Sequence, residues 1–210
     1  MTEQIEQGTA DWFAARCGRV TASRVADVIA KTKSGWGASR ANYMSQLLCE
    51  RLTGRVEESY TNAAMQHGID TEPQARAAYE FFRDMTVQQV GFVNHPRIEM
   101  AGASPDGLIH GDALGLVEIK CPNTATHLDT LLTGKIPAKY ETQMQWQMAC
   151  TAAQWCDFVS FDNRLPPEHS FFCDRIERDE KRIQELEEMV TEFLSELDAK
   201  IEQLNARKAA

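Results

Sequence analysis

The order of apolar and amphipathic runs in this chain predicts an α/β fold, a central mixed sheet with helices on both faces. Three observations carry the expectation. Two short, strongly apolar runs, Gly115 to Lys120 and Trp155 to Asp162, have the length and composition of buried strands. Between Ser39 and Leu52, and again between Pro137 and Ala153, apolar residues recur at helical spacing. The chain closes on a long amphipathic run, Arg178 to Asn205, whose Ile183, Leu186, Val190, Phe193, Leu197, Ile201 and Leu204 step by three or four. With 210 residues, 43% of them hydrophobic, and no Pro- or Gly-rich linker, residues 1–210 are expected to form one domain with a sizeable core.

Taken in order, Thr9 is placed to cap a helix through Trp12 and Ala15, and Thr21 a second one over Ala22 to Ala30. Lys31 to Ala38 reads as a basic, Gly-containing loop that carries Trp36; it suits contact with a nucleic-acid backbone or serves as a plain connector. Ser39 is expected to cap a helix to Leu52 that Gly54 ends. Thr61 to Asp84 is helical but interrupted at Gly68 and Pro73, with Glu72-Pro73 as a fresh start and Ala75, Ala78, Tyr79 and Phe82 on the buried face. Val87 to Asn94 and Met100 to Ser104 read as strands leading into an arm at Leu108 to His110, and Asn123 to Leu132 as a helix. Ser170 to Ile176 is the last strand, and the final helix packs on its own domain rather than in a coiled coil.

Composition excludes several classes. No apolar run approaches the ~20 residues of a membrane span, and the polar, acidic N-terminus is unlike a secretory signal, so a cytoplasmic protein is expected. The six cysteines make no C-x-x-C pair and read as reduced core residues, and the histidines show no zinc-ligand spacing. The net charge of -9 argues against a protein that coats nucleic acid. From Trp12 to Arg55, however, eight basic residues face only two acidic ones, which leaves room for a local basic face.

The chemistry-bearing stretch is Ser104-Pro105-Asp106-Gly107 followed by Glu118-Ile119-Lys120-Cys121-Pro122. On a strand, Glu118 and Lys120 share one face and Ile119 the other. The turn signal Gly111-Asp112 folds Asp106 back over Glu118, in a hairpin expected at the edge of the sheet. Two converging carboxylates call for a hard divalent cation, and a lysine beside them suits orienting or deprotonating a water, or steadying a phosphate. That set fits phosphodiester hydrolysis; the plain alternative is a solvated surface hairpin.

At these residues the chain resembles the PD-(D/E)xK nucleases. Longer strings, Gly18 to Ala30, Gly68 to Phe81, Gln143 to Gln145 and Ile176 to Lys181, are similar to the bacteriophage lambda exonuclease family, the YqaJ-type viral recombinases. The resemblance implies a restriction-endonuclease-like core and a Mg²⁺-dependent, 5'-to-3' exonuclease on duplex DNA, with Mn²⁺ as a substitute cation. It implies Asp106, Glu118 and the Ile119 carbonyl at the metal, Lys120 on the water, and Glu72 assisting. It places Arg16, Ser23, Ser104 and Gln143 around a terminal 5'-phosphate, Lys33 on the duplex, and Met65 where the duplex end parts, although the residue pattern itself favours a core methionine there. It further implies a homotrimeric ring around DNA, a single-strand annealing partner, and a phage or prophage origin in a bacterial host. One departure stands out: the Gln-x-x-x-Tyr of more distant nucleases is not met, because position 147 is Gln. A non-catalytic DNA-end-binding scaffold and an endonuclease with the same site are the alternatives.

Overall fold

In the computed structural model, which describes residues 5–56 and 62–208, two sheets share a wrapping of helices. The N-terminal part runs α1 (Ala10–Arg16), β1 (Val20–Thr21), a 3-10 turn (Ala22–Arg24) into α2 (Val25–Val28), a hairpin of β2 (Lys31–Thr32) and β3 (Gly35–Trp36), then α3 (Ala38–Thr53) and α4 (Ala63–Arg83). There follow β4 (Val87–Gln88), β5 (Val93–Asn94), β6 (Ala101–Ala103), β7 (Gly107–Ile109) and β8 (Gly115–Lys120). The chain ends with α5 (Thr124–Thr133), α6 (Ala138–Thr151), β9 (Trp155–Phe161), β10 (Phe171–Glu177) and α7 (Glu180–Lys208).

The larger sheet has the order β10-β9-β8-β7-β4 and is mixed: β8 and β9 are parallel and the other pairs antiparallel. A parallel pair needs a long crossover, and α5 and α6 supply it. The smaller sheet is β1-β6-β5, with β1 parallel and β5 antiparallel to β6. The α/β expectation with a mixed sheet and a long final helix holds. The site-bearing hairpin, expected at the sheet edge, is instead its middle, because the extended chain after the crossover adds beyond β8 and buries it.

Alternation sorts the core. Leu116, Cys156 and Phe158 face Met144 and Met148 of α6 and Ile183 of α7, while Val117, Ile119, Val159 and Phe161 face Ala75 and Tyr79 of α4. A third cluster joins Val20, Val25 and Val28 to Tyr43 and Leu47 of α3, Trp146 of α6, and Leu186, Val190, Phe193 and Leu197 of α7. The final helix therefore packs on its own chain.

Several local expectations need correction. Thr9 does cap α1, accepting from the Trp12 amide, but Thr21 makes no side-chain cap and the segment after it breaks into a 3-10 turn and one α-turn. The residue flanking α3 is Gly37, not Ser39, and the stretch before it is a hairpin whose turn is Lys33-Ser34. Asn62 caps α4 through its side chain, and neither Gly68 nor Pro73 interrupts that helix. Pro73 removes one donor, to the Ile69 carbonyl, on a face of α4 where both residues are exposed to solvent. Glu72 thus sits in the middle of α4 rather than at a helix start, and the start expected at Thr61 lies outside the described residues. Phe82 is exposed while Ala75 and Tyr79 are buried. Val87 to Asn94 divides between two sheets, β4 joining β7 and β5 joining β6. All six cysteines are free, but Cys49 is exposed rather than in the core.

Candidate active site

The site forms where β7 begins, one residue after Asp106, while its partner β8 runs on through Glu118 and Lys120. In continued register Pro105 lies opposite Ile119, but the Pro105 carbonyl accepts instead from the Gln7 side chain at 2.9 Å. The Ile119 amide is left for a side chain, and Asp106 Oδ2 takes it at 2.7 Å. This one bond locks Asp106 against the strand that carries Glu118 and Lys120. Gly107 must be glycine here, since an added Cβ would lie 2.1 Å from Val87 Cγ1 of the neighbouring β4.

Glu118 is fully buried. Gln143 Nε2 donates to its Oε1 and Gln147 Nε2 to its Oε2, each at 2.6 Å. Lys120 forms an ion pair with Oε1 and lies 5.4 Å from the Tyr140 ring centroid. Gln143, Gln147 and Tyr140 reach these groups because they occupy neighbouring turns of one face of α6. Burial pushes the Asp106 carboxyl well above the ordinary range, and the Glu118 charge adds to this; Lys120 opposes it, Glu72 reinforces it and the Ile119 amide opposes it. Burial acts to lower the Lys120 ammonium, but Glu118 and Asp106 outweigh it and hold its pKa above the ordinary lysine value. Two carboxyl groups therefore share one full cation. An added divalent cation relieves that imbalance, and two carboxylates with a main-chain carbonyl and open water positions form an oxygen donor set of the kind Mg²⁺ takes. Among the described residues no three His, Cys, Asp or Glu side chains gather into a metal-binding group, which leaves this two-carboxylate site with the electrostatic demand just described.

Glu72 acts on Asp106 through space and is itself paired with Arg76 at 2.6 Å, one turn along α4. Cys121, just past β8, has its thiol pushed up to about 12 by burial and by Glu72 and Asp106, so it stays an inert thiol.

Beside the carboxylates stands a second constellation. The Arg16 guanidinium stacks on the Trp12 ring, 4.0 Å from its centroid, and no carboxylate pairs with it among the described residues. Burial pulls its pKa below the ordinary value, with Tyr43 and Glu50 opposing. The indole Nε1 of Trp12 donates to Ser104 Oγ at 2.9 Å, two residues from Asp106. Trp12 thus ties Arg16 to Ser104, a role missed in the sequence although the four-residue spacing of Trp12 and Arg16 on one helix signals it. Ser23 is exposed in the 3-10 turn. The Gln143 amide is engaged by Glu118. Lys33 is exposed at the hairpin tip, and Trp36 beside it lies under Arg40 and Lys31. Met65 is exposed in the first turn of α4 rather than in the core. Gln147, first noted as a departure from a motif, proves to be a direct partner of Glu118, and its i, i+4 relation to Gln143 carries that signal.

No helix among the described residues is long and apolar enough to cross a membrane. Residues 11–154 match the family model of the YqaJ-like viral recombinase domain. The crystal structure of an alkaline exonuclease (LHK-Exo) from Laribacter hongkongensis superposes with a TM-score of 0.89 at 56% identity, covering 96% of this chain and 98% of that one. The same enzyme in complex with dAMP matches equally well, with 57% identity over the same coverage. A phage-related exonuclease from Haemophilus somnus shares the fold, with a TM-score of 0.71 at 18% identity over 89% of this chain and 96% of that one. Comparison with curated proteins gives no match. With its family model spanning Asp11 to Gln154 and a structural relative more than half identical over nearly the whole length, this chain belongs to the YqaJ-like viral recombinase domain family.

Proposed function

We propose that this protein is a Mg²⁺-dependent exonuclease that enters duplex DNA at a 5'-phosphorylated end and digests that strand 5' to 3', leaving a 3' single strand for phage-type recombination. The observation that carries the reading is the Asp106–Ile119 bond, which draws two carboxylates and a lysine into one buried corner. The 56% identity to an alkaline exonuclease supports the nuclease class.

In this reading Asp106, Glu118 and the Ile119 carbonyl hold the cation, and Glu72 adds negative charge from α4. The bound cation would supply charge neutralisation at the scissile phosphate and a more acidic water. Lys120, kept protonated by its two carboxylate neighbours, orients the water and steadies the charge that develops on the phosphate rather than removing a proton in its resting state. Arg16, a guanidinium stacked on Trp12 with no carboxylate partner among the described residues, takes the terminal 5'-phosphate together with Ser104, Ser23 and Gln143. Lys33 approaches the duplex backbone and Met65 the parted end. A homotrimeric ring with a basic lining would let an acidic protein hold DNA, and a single-strand annealing protein would take the product.

The test is incubation of 5'-phosphorylated linear duplex and of covalently closed circular duplex with Mg²⁺, with label at one 5' end. Loss of linear DNA alone, with the 5' label released first, is the expected result. Cleavage of the circle points to an endonuclease, and intact substrates of both kinds to a DNA-end-binding scaffold.

A further inference from the structure

The Glu118 clamp contains a residue that the sequence motif leaves unassigned. Gln147 is fully buried, and its Nε2 meets Glu118 Oε2 at 2.6 Å while its Oε1 has no hydrogen-bond partner among the described residues. Packing alone disfavours such an amide. An orphaned buried carbonyl is unfavourable, and the residues on either side of Gln147 along α6, Met144 and Met148, belong to an apolar cluster. What explains the amide is the carboxylate it faces.

Glu118 Oε1 is shared by Gln143 and Lys120, whereas Oε2 has Gln147 as its donor. With two donors on Oε1 and one on Oε2, the plane of the carboxylate is fixed. Remove Gln143 and Lys120 still holds Oε1; remove Gln147 and Oε2 is left bare in a buried place, free to turn away from Asp106. We propose that Gln147 is a positioning residue of the metal site, holding Glu118 in the rotamer that receives the divalent cation. This rests on the assignment of Asp106 and Glu118 as metal ligands.

Outer partners of metal ligands typically contribute roughly 10- to 100-fold to metal affinity or activity. Gln147→Leu keeps the volume and removes the donor, and Gln147→Glu keeps the shape and replaces the amide with a second acid. The experiment titrates Mg²⁺ into each DNA-free protein by calorimetry, then measures the Mg²⁺ concentration for half-maximal digestion, the KM for DNA and the melting temperature. Weaker Mg²⁺ binding by roughly tenfold or more in both variants is expected, with KM for DNA and the preference for 5'-phosphorylated ends unchanged. If Gln147→Leu melts far below the parent, Gln147→Glu, with an unaltered footprint, carries the measurement. Wild-type Mg²⁺ affinity in a folded variant overturns the proposal, as does a loss confined to KM or to thermal stability. A parent protein that binds no Mg²⁺ overturns the metal-site reading itself, which is a different result from a parent that binds and variants that do not differ.

Discussion

Two neighbouring strands each bury one carboxylate completely, and the two are treated in opposite ways. Asp157 of β9 receives Arg175 twice, at 2.6 and 2.9 Å, the Tyr79 hydroxyl at 2.9 Å and Arg83 at 3.6 Å. Glu118 of β8, on the opposite face of the sheet, receives two neutral amides and a single lysine, and it sits beside Asp106, a second acid. The first carboxylate is oversupplied with cations and the second undersupplied. A buried anion with surplus positive partners is a strut; one held by two amides and a single shared lysine beside another acid fits the cation site proposed above. The difference separates structure from chemistry without reference to any motif.

The largest effect expected from this contrast is at Glu118. Asp106→Ala, Glu118→Ala and Lys120→Ala should each abolish digestion of linear duplex in Mg²⁺, and the carboxylate losses should also remove Mg²⁺ binding by calorimetry, while Lys120→Ala keeps it measurable. Because Asp106→Ala removes one of two facing anions, its melting temperature in chelator should equal or exceed that of the parent. Parent-like digestion by any of the three would sink the assignment.

Asp157→Ala should do the reverse. It strips Arg175 and Tyr79 of their shared acceptor, and breaking a buried pair in this way costs about 3–5 kcal/mol. Urea denaturation should show that loss, with activity per folded molecule preserved at low temperature. If activity disappears while the unfolding midpoint stays in place, Asp157 belongs to the chemistry and the contrast fails.

The same contrast marks the limit of what was legible in the sequence. Asp106, Glu118 and Lys120 could be read because strand alternation and a turn dictate their convergence, and the long final helix could be read because its apolar stripe is regular over about six turns. The strand order was not legible. Whether β8 is an edge or a centre depends on where β9 docks after a crossover of two helices, and no local pattern encodes that distance. Pro73 misled because local propensity treats proline as a break, whereas the exposed face of α4 tolerates the missing bond. Trp12 and Gln147 were visible only as helix residues, since their roles lie in atoms that meet across 92 and 29 positions of sequence.

Arg16 is the mirror image of Glu118, a half-buried cation with no anion among the described residues. If a terminal phosphate completes it, the contact is charge-assisted and on the order of 1.5–3 kcal/mol. Arg16→Ala should then slow digestion of 5'-phosphorylated ends by roughly ten- to a hundredfold, each ~1.4 kcal/mol being a factor of ten. Ends with a 5'-hydroxyl should lose far less, so the preference for phosphate collapses. Trp12→Phe, which keeps the stacking ring but not the donor to Ser104, should fall between Arg16→Ala and the parent. Equal slowing on both kinds of end, together with a lowered melting temperature, would make Arg16 a fold residue.

The smallest effect concerns a third buried carboxylate, which belongs with Asp157 rather than with Glu118. Asp162, just past β9, is fully buried. Burial acts to raise its pKa, but the Arg164 side chain, the Thr124 hydroxyl and the Arg164 amide prevail and bring it down to about 2 from an ordinary 3.8. Arg164 also donates to the Pro122 carbonyl at 2.7 Å, so this pair pins the chain leaving β8. A carboxylate whose folded pKa is depressed stabilises the fold above its unfolded pKa, and that contribution fades as pH falls from about 4 towards about 2. Asp162→Asn should therefore be less stable than the parent at neutral pH by an amount on the order of 2 kcal/mol, since the drop from 3.8 to about 2 is nearly two pKa units at about 1.4 kcal/mol each. The gap should close as pH falls through that window. Paired melting curves from pH 7 downward read it directly. A gap independent of pH would show that the charge on Asp162 does no structural work, and a change in Mg²⁺ affinity would move Asp162 to the other side of the contrast.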